Sequence, residues 1–219
     1  MAFKKISDEK LWALIPAYNE EETIKEVVKR TKKVVKNVLV VNDGSTDKTE
    51  SIIKRIKNIE FLNFFKNLGK ANALKKGIQF LRKRKAERVV TIDADLQHLP
   101  EEIPLLLNEK ADIVIGAREK LNSEMPFIRK VGNFLASKII NLELGIDIKD
   151  PQSGFRIYNR KALNKLSFKG EKFNIEKKTL KQACEKKLSI KEVPITCVYN
   201  KSLRKSHFTL KDALEFLKS

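Results

Sequence analysis

The chain has 219 residues, with 46 Lys and Arg against 28 Asp and Glu, a formal net charge of +18, and 42% hydrophobic residues. That balance excludes a disordered chain, a collagen-like repeat and a disulfide scaffold, and it suits one domain able to bury a sizeable core. Cys184 and Cys197 show no ligand spacing, no apolar run reaches the roughly 20 residues of a membrane span, and Met1 opens no signal peptide, so a cytoplasmic protein without a zinc site is expected.

In chain order, β-rich runs are predicted at 11–15, 38–42, 59–65, 88–93 and 112–116. Amphipathic helical patterns lie between them at 21–33, 47–56 and 71–81. This alternation predicts an α/β fold with a mostly parallel central sheet flanked by helices, whose ligand sites gather in loops at the carboxyl ends of the strands. Beyond residue 117 the rhythm changes to a long helix at 127–144, a strand at 153–158, a helix near 171–186, a strand near 190–199 and a short amphipathic helix at 210–217. No linker or repeat interrupts the chain, so a single domain over 1–219 is expected. Residues 155–219 hold 17 Lys and Arg against 6 Asp and Glu, which fits an anionic partner or a generic solvated surface.

Four strand-end segments carry candidate chemistry. Pro16-Ala17-Tyr18-Asn19-Glu20 is expected to end the first strand at its proline and to offer a ring face and an acceptor to a flat polar ligand. Asn42-Asp43-Gly44-Ser45-Thr46-Asp47 reads as a tight turn with a helix cap. Asp93-Ala94-Asp95-Leu96-Gln97-His98 places two carboxylates at i and i+2, a like-charge pair that a hard cation relieves, with Gln97 as a further oxygen ligand and His98 as a loop residue. Asp150-Pro151-Gln152-Ser153-Gly154-Phe155-Arg156 follows the isolated arginines Arg118 and Arg129, whose planar forks suit phosphate oxygens.

Together, in this order and spacing, these segments resemble the family 2 glycosyltransferases of the GT-A fold, nearest to the dolichyl- and polyprenyl-phosphate mannosyl- and glucosyltransferases. Asn67-Leu68-Gly69-Lys70-Ala71 and Phe173-Asn174-Ile175-Glu176 add to the resemblance. It implies a nucleotide- and metal-binding half (1–117) and an acceptor-binding half (118–219). The nucleotide-sugar donor would meet Pro16, Tyr18, Glu20, Asn42, Asp43, Lys70 and Asp93, and Mg²⁺ or Mn²⁺ would sit on Asp93, Asp95 and Gln97. A lipid phosphate acceptor would meet Arg118, Arg129, Ser153, Arg204 and Lys205. Asp95, Arg118 and, for a hydroxyl acceptor only, Asp150 as general base would be catalytic. Some positions depart from the family pattern. Asn42 stands where Asp is frequent, Leu99-Pro100 where Pro-Pro is, and only Ser202-Leu203-Arg204-Lys205-Ser206 stands near the usual Gly-x-Ser-Lys. The processive members' Gln-x-x-Arg-Trp is absent, since Trp12 is the single tryptophan.

The expected reaction is inverting transfer of one sugar from a GDP-mannose or UDP-glucose type donor to a polyprenyl or dolichyl phosphate. Attachment would be peripheral, to an anionic membrane at its inner face, helped by Leu210, Leu214 and Leu217. A hydroxyl acceptor is the alternative. A nucleotidyltransferase would want a Gly-rich loop after the first strand. A basic nucleic-acid module lacks its aromatic-basic signature here, so no nucleic-acid partner is expected.

Overall fold

Every second residue of the first strand faces a different core, and the whole architecture follows from that alternation. The structure, a computed structural model, describes residues 8–118, 127–168 and 175–198, with the side chains of 127–133 excepted. Strands β1 (Leu11–Ala17), β2 (Asn37–Asn42), β3 (Glu60–Asn63) and β4 (Arg88–Thr91) alternate with helices α1 (Ile24–Val34), α2 (Thr49–Lys54) and α3 (Lys70–Lys83). Then come α4 (Ile103–Leu107), β5 (Ile113–Arg118), α5 (Phe127–Leu144), β6 (Arg156–Asn159), α6 (Arg160–Lys165), α7 (Ile175–Glu185) and β7 (Ile190–Ile195). The seven strands form one sheet in the order β3-β2-β1-β4-β6-β5-β7, parallel except for β6.

Both faces of the sheet are covered, which is why its strands read as continuous apolar runs. Leu14, Leu39, Val41 and Val89 pack with Leu74, Ile78 and Leu81 of α3 and Leu180 of α7. Ala13, Ile15, Val38, Val40 and Val90 pack on the opposite face with Ile24, Val27 and Val28 of α1 and Ile103 and Leu106 of α4.

Three expectations need correction. Pro16 does not end β1, which runs on to Ala17 and keeps register with Val41 at Pro16. The carbonyl of Leu14 accepts from Ile92 on the β4 side and that of Ala17 accepts from Asp43 on the β2 side. Pro16, two residues after Leu14, therefore turns its donorless nitrogen toward β4, which has already ended at Thr91. The fourth strand is correspondingly shorter than 88–93, so Asp93 lies beyond the ladder. The short helices α4 and α6, of 5 and 6 residues, lie where the sequence pattern predicts no helix. The segment 210–217 lies outside the described residues.

The strands of the two expected halves interleave. β6 lies between β4 and β5, antiparallel to both, with Arg156 opposite Thr91 on one side and Ile115 on the other. Its amino end thus enters at the same sheet edge where β4 and β5 finish, bringing residues 150–155 between the ends of those strands.

Helix α3 presses on β1 at Gly77, where an added Cβ would lie 2.4 Å from Leu14 Cδ1. Gly77→Val is expected to lower stability by about 1–3 kcal/mol through overpacking, read as a reduced urea midpoint at unchanged slope. An unaltered midpoint would mean that Leu14 can move aside.

Candidate active site

Beyond Thr91 the chain leaves the sheet and presents Asp93 and Asp95. The Asp95 carboxylate accepts the backbone N–H of Gln97 (3.1 Å), and Leu96 takes φ 60°. Lys70, the first residue of α3, places its Nζ 2.7 Å from Asp93 Oδ1 and 3.0 Å from Glu176 Oε1 of α7. Gly154 crowds this group so closely that an added Cβ would stand 2.7 Å from both Asp93 Oδ2 and Lys70 Nζ. The Thr91 hydroxyl ties the two segments by donating to the Gly154 carbonyl at 2.7 Å.

Electrostatics separate the two aspartates. Burial opposes the charge on Lys70, but the Asp93 and Glu176 carboxylates outweigh it and hold the ammonium above its ordinary range. Burial likewise opposes ionisation of Asp93, yet the Lys70 charge keeps its carboxyl below the usual value. Asp95 is pushed up to about 6 by burial and by the negative charge of Asp93. Burial, with the charges of Asp95 and Asp93, drives Glu20 up to about 7 even though the Thr23 hydroxyl donates to it at 2.7 Å. Three acids thus influence one another beside the Lys70 ammonium, which Glu176 shares, and a further cation would relieve their repulsion. Among the described residues no three His, Cys, Asp or Glu side chains converge as a metal cage. Two carboxylates with Gln97 nearby suit Mg²⁺ or Mn²⁺, which keep water and substrate phosphates as further ligands.

The loops after β1 and β2 are laced together. The Asn19 N–H donates to Ser45 Oγ (2.9 Å), and Asn19 Oδ1 accepts from the Thr46 N–H (2.8 Å). The Glu20 N–H donates to Thr49 Oγ1 at 2.7 Å. Asn42 is consumed within the turn, its Oδ1 accepting from the Ser45 hydroxyl (2.5 Å) and its Nδ2 donating to Asn63 (2.6 Å). Asp43 accepts the Leu68 N–H at 2.9 Å, and burial raises its pKa. Gly44, at φ +68°, lies against the backbone of Lys66, whose carbonyl carbon would be 2.2 Å from an added Cβ. Pro16 is buried in β1, and Tyr18 is half-buried just beyond it.

On the other side, Arg118 ends β5 and forks onto Asp150, with Nε to Oδ2 at 2.6 Å and Nη2 to Oδ1 at 2.8 Å. Its backbone N–H donates to the same carboxylate at 3.2 Å. Burial would raise the pKa of Asp150, but the Arg118 bonds win and lower it. Glu192 of β7 fixes this loop by accepting the N–H groups of Lys149 (2.9 Å) and Asp150 (3.0 Å). Ser153 is buried, and its carbonyl accepts from Arg156 Nε at 2.8 Å. Arg156 spends its other donors on the carbonyls of Pro151 (2.6 Å) and Glu176 (3.3 Å). Arg129 belongs to α5, but its side chain, like all of Arg204, Lys205, Phe173 and Asn174, lies outside what is described.

His98 lies in the loop after β4 and is turned into the interior. It is buried, stacked on Phe155 with centroids 5.4 Å apart, and burial pushes its pKa down to about 4. Neither ring nitrogen finds a hydrogen-bond partner among the described residues. Sequence reasoning quoted Glu176 and Arg156 within motifs but missed that one pairs with Lys70 and the other clamps carbonyls, and it gave no signal for Glu192.

Residues 12–167 match the family model described as Glycosyl transferase family 2. Over 220 residues the chain is 32% identical to the UDP-N-acetylglucosamine–dolichyl-phosphate N-acetylglucosaminyltransferase of Methanococcus voltae, covering 89% of this chain and 88% of that protein. It is 31% identical over 177 residues to the undecaprenyl-phosphate 4-deoxy-4-formamido-L-arabinose transferase of Proteus mirabilis, covering 74% of this chain and 52% of that one. The structure resembles glucosyl-3-phosphoglycerate synthase from Mycobacterium tuberculosis, solved with Mn²⁺, UDP and phosphoglyceric acid, with a TM-score of 0.73 at 20% identity. That likeness, one of fold, covers 94% of this chain and 75% of the other.

The raised pKa of Glu20 carries a sign. The folded state holds the proton up to about 7 against an ordinary 4.5, so ionising Glu20 costs folding stability progressively as pH rises through that interval. Glu20→Gln is therefore expected to raise Tm relative to the parent at pH 8 and to leave it unchanged at pH 4, without added metal. Equal differences at both pH values would contradict this electrostatic assignment.

Proposed function

The chain belongs to glycosyl transferase family 2, and from that membership we propose that this enzyme moves one sugar, with inversion, from a nucleoside-diphosphate donor to the phosphate of a polyprenyl or dolichyl lipid. One observation carries the acceptor class: the similarity to the Methanococcus voltae enzyme, named for transfer to dolichyl phosphate, spans nearly the whole of both chains. The nucleotidyltransferase and nucleic-acid readings give way to the family membership.

In this reading the laced loops of β1 and β2 receive the nucleoside, with Pro16, Tyr18, Glu20, Asn42 and Asp43 forming or supporting its walls. Lys70 sits with Asp93, where it can answer negative charge that develops on the departing diphosphate. Mg²⁺ or Mn²⁺ held by Asp93, Asp95 and Gln97 would supply further neutralisation of that leaving group. The acceptor phosphate is already an anion near neutral pH and attacks the anomeric carbon from the opposite face, without a protein base. Arg118, whose Nε and Nη2 are held by Asp150, would meet the phosphate with the Nη1 end of its guanidinium, with Arg129, Arg204 and Lys205 as further candidate contacts and Ser153 supporting the turn. A hydroxyl acceptor would need a general base. Asp150 suits that task poorly while both its oxygens accept from Arg118 and its pKa is lowered. Among the described residues no helix is long and apolar enough to cross a membrane, and we place the enzyme peripherally at an anionic inner membrane face, where its basic charge is attracted.

Two measurements test the reading. With a UDP- or GDP-sugar at 100 times its Kd the parent should gain about 2.7 kcal/mol of stability, and Asp95→Asn should lose the part of that gain that depends on Mn²⁺. Arg118→Lys keeps a charge beside Asp150 but loses the fork. It should weaken transfer to polyprenyl phosphate by about 1.5–3 kcal/mol while donor binding stays normal. Unchanged transfer, or activity on hydroxyl acceptors alone, would overturn the phosphate acceptor.

A further inference from the structure

The loop that delivers Asp150 is held by side chains from three different elements. Asn141 of α5 donates to the Ile148 carbonyl (2.9 Å) and accepts the Ile148 N–H (3.2 Å). Glu192 of β7 accepts the next two N–H groups, that of Lys149 at Oε2 (2.9 Å) and that of Asp150 at Oε1 (3.0 Å). Arg156 of β6 then takes the carbonyls of Pro151 (2.6 Å) and Ser153 (2.8 Å). Of these three side chains, Glu192 is the one that grips the backbone of Asp150 itself.

Asp150 in turn holds Arg118 by its backbone N–H, its Nε and its Nη2. Main chain and guanidinium of Arg118 therefore both follow the Asp150 carboxylate, and a shift of the Lys149–Asp150 backbone passes directly to the arginine. The residue type at 192 matters here. An ionised carboxylate has two equivalent acceptor oxygens and takes two successive N–H groups at once, with the added strength of a charged acceptor. A glutamine would satisfy one of them and turn an NH₂ donor toward the other. Asn141 shows where an amide does fit, on one N–H and one carbonyl of the same residue.

We propose that Glu192 is a positioning residue for sugar transfer, which by fixing the Lys149–Asp150 backbone sets how Arg118 presents its guanidinium to the acceptor phosphate. The inference rests on the lipid-phosphate reading above for the ligand that Arg118 meets. Glu192 acts through Asp150 alone, so its influence belongs to the acceptor side. Arg156 pins Pro151 and Ser153, and a disturbance at Asp150 stops short of Gly154, which stands beside Asp93 and Lys70.

The test uses the full chain and Glu192→Gln. Its control is the neighbouring Lys191→Ala, which breaks only an exposed pair with Glu109 (2.9 Å). Transfer is measured to geranyl phosphate, a water-soluble probe that needs no membrane. In Glu192→Gln, kcat/KM for geranyl phosphate should fall by about three- to tenfold, while the donor KM and the Tm gain from UDP with Mn²⁺ match the parent. Lys191→Ala should change none of these. Placed in an Arg118→Lys background, Glu192→Gln should add less than about twofold, because the arginine through which it acts is gone. A readout that needs no substrate is the Arg118 Nε–H, followed by magnetic resonance on isotopically labelled arginine. Its solvent exchange should be faster in Glu192→Gln than in the parent, as its bond to Asp150 (2.6 Å) loosens.

Unchanged acceptor kinetics in Glu192→Gln, an equal loss on the donor side, an effect that multiplies fully with Arg118→Lys, or the same loss in Lys191→Ala would overturn the proposal. So would a lowered Tm with Nε–H exchange and acceptor kinetics unchanged, since Glu192 would then serve the edge strand only. Faster Nε–H exchange in the variant, with no transfer by the parent to any prenyl phosphate, would uphold the positioning of Arg118 and reject the acceptor class instead.

Discussion

One ammonium group holds the centre of this protein together. Lys70 stands between the carboxylates of Asp93 and Glu176, which arrive from the exit of β4 and the start of α7, and Gly154 of the turn before β6 closes over them with no side chain in the way. Removing one member of this partly buried ion group leaves the others less well compensated. The positions of α3, α7 and the turn are therefore coupled to the same charge that neutralises Asp93. Lys70 acts on Asp95 only as a weaker counterweight to burial and to the Asp93 charge, and the two aspartates diverge in proton affinity although they lie two residues apart.

The reversed strand β6 makes that arrangement reachable. In an all-parallel sheet the segment leading into a strand lies at the opposite edge from the strand-end loops. Because β6 runs against β4 and β5, residues 150–155 enter at the edge where Asp93 and Arg118 emerge. Arg156 then secures the entry from beneath, binding the carbonyls of Pro151, Ser153 and Glu176, so the turn carrying Gly154 and the helix carrying Glu176 are fixed by one buried guanidinium. Hydrogen-bonding carbonyls rather than carboxylates, it adds positive charge to a region otherwise rich in acids.

Much of this was legible in the residues and some was not, for physical reasons. The alternation of Leu14 with Ala13 and Ile15, and the Ile24, Val27, Val28 stripe, announce two-sided burial because periods of 2 and 3.6 are local properties. The strand-end placement of Asp43, Asp93, Asp95 and Arg118 follows from the same periods. The direction of β6 does not, since Arg156–Asn159 would read identically in either orientation. Nor do the pairings of Lys70 with Glu176 and of Asp150 with Glu192, which are made between elements distant in sequence. Asn42 illustrates a subtler limit: its type and place suit a ligand contact, yet its amide is divided between Ser45 and Asn63. His98 shows the converse, a polar side chain in a polar motif that folding carries into the interior.

Pro16 has an effect out of proportion to its size. In a parallel ladder the strand that donates at Ile92 to Leu14 would next receive, at the Ile92 carbonyl, the N–H of the residue two places on, and that residue is a proline. The zipper between β1 and β4 lacks its next tooth, so the two strands part there while β1 continues alongside β2. The pairing of β1 with β4 thus stops for want of one hydrogen atom. A residue with an ordinary amide at position 16 would let the sheet close further, drawing the backbone at Asp93 into regular pairing and turning its side chain by the strict alternation of a strand.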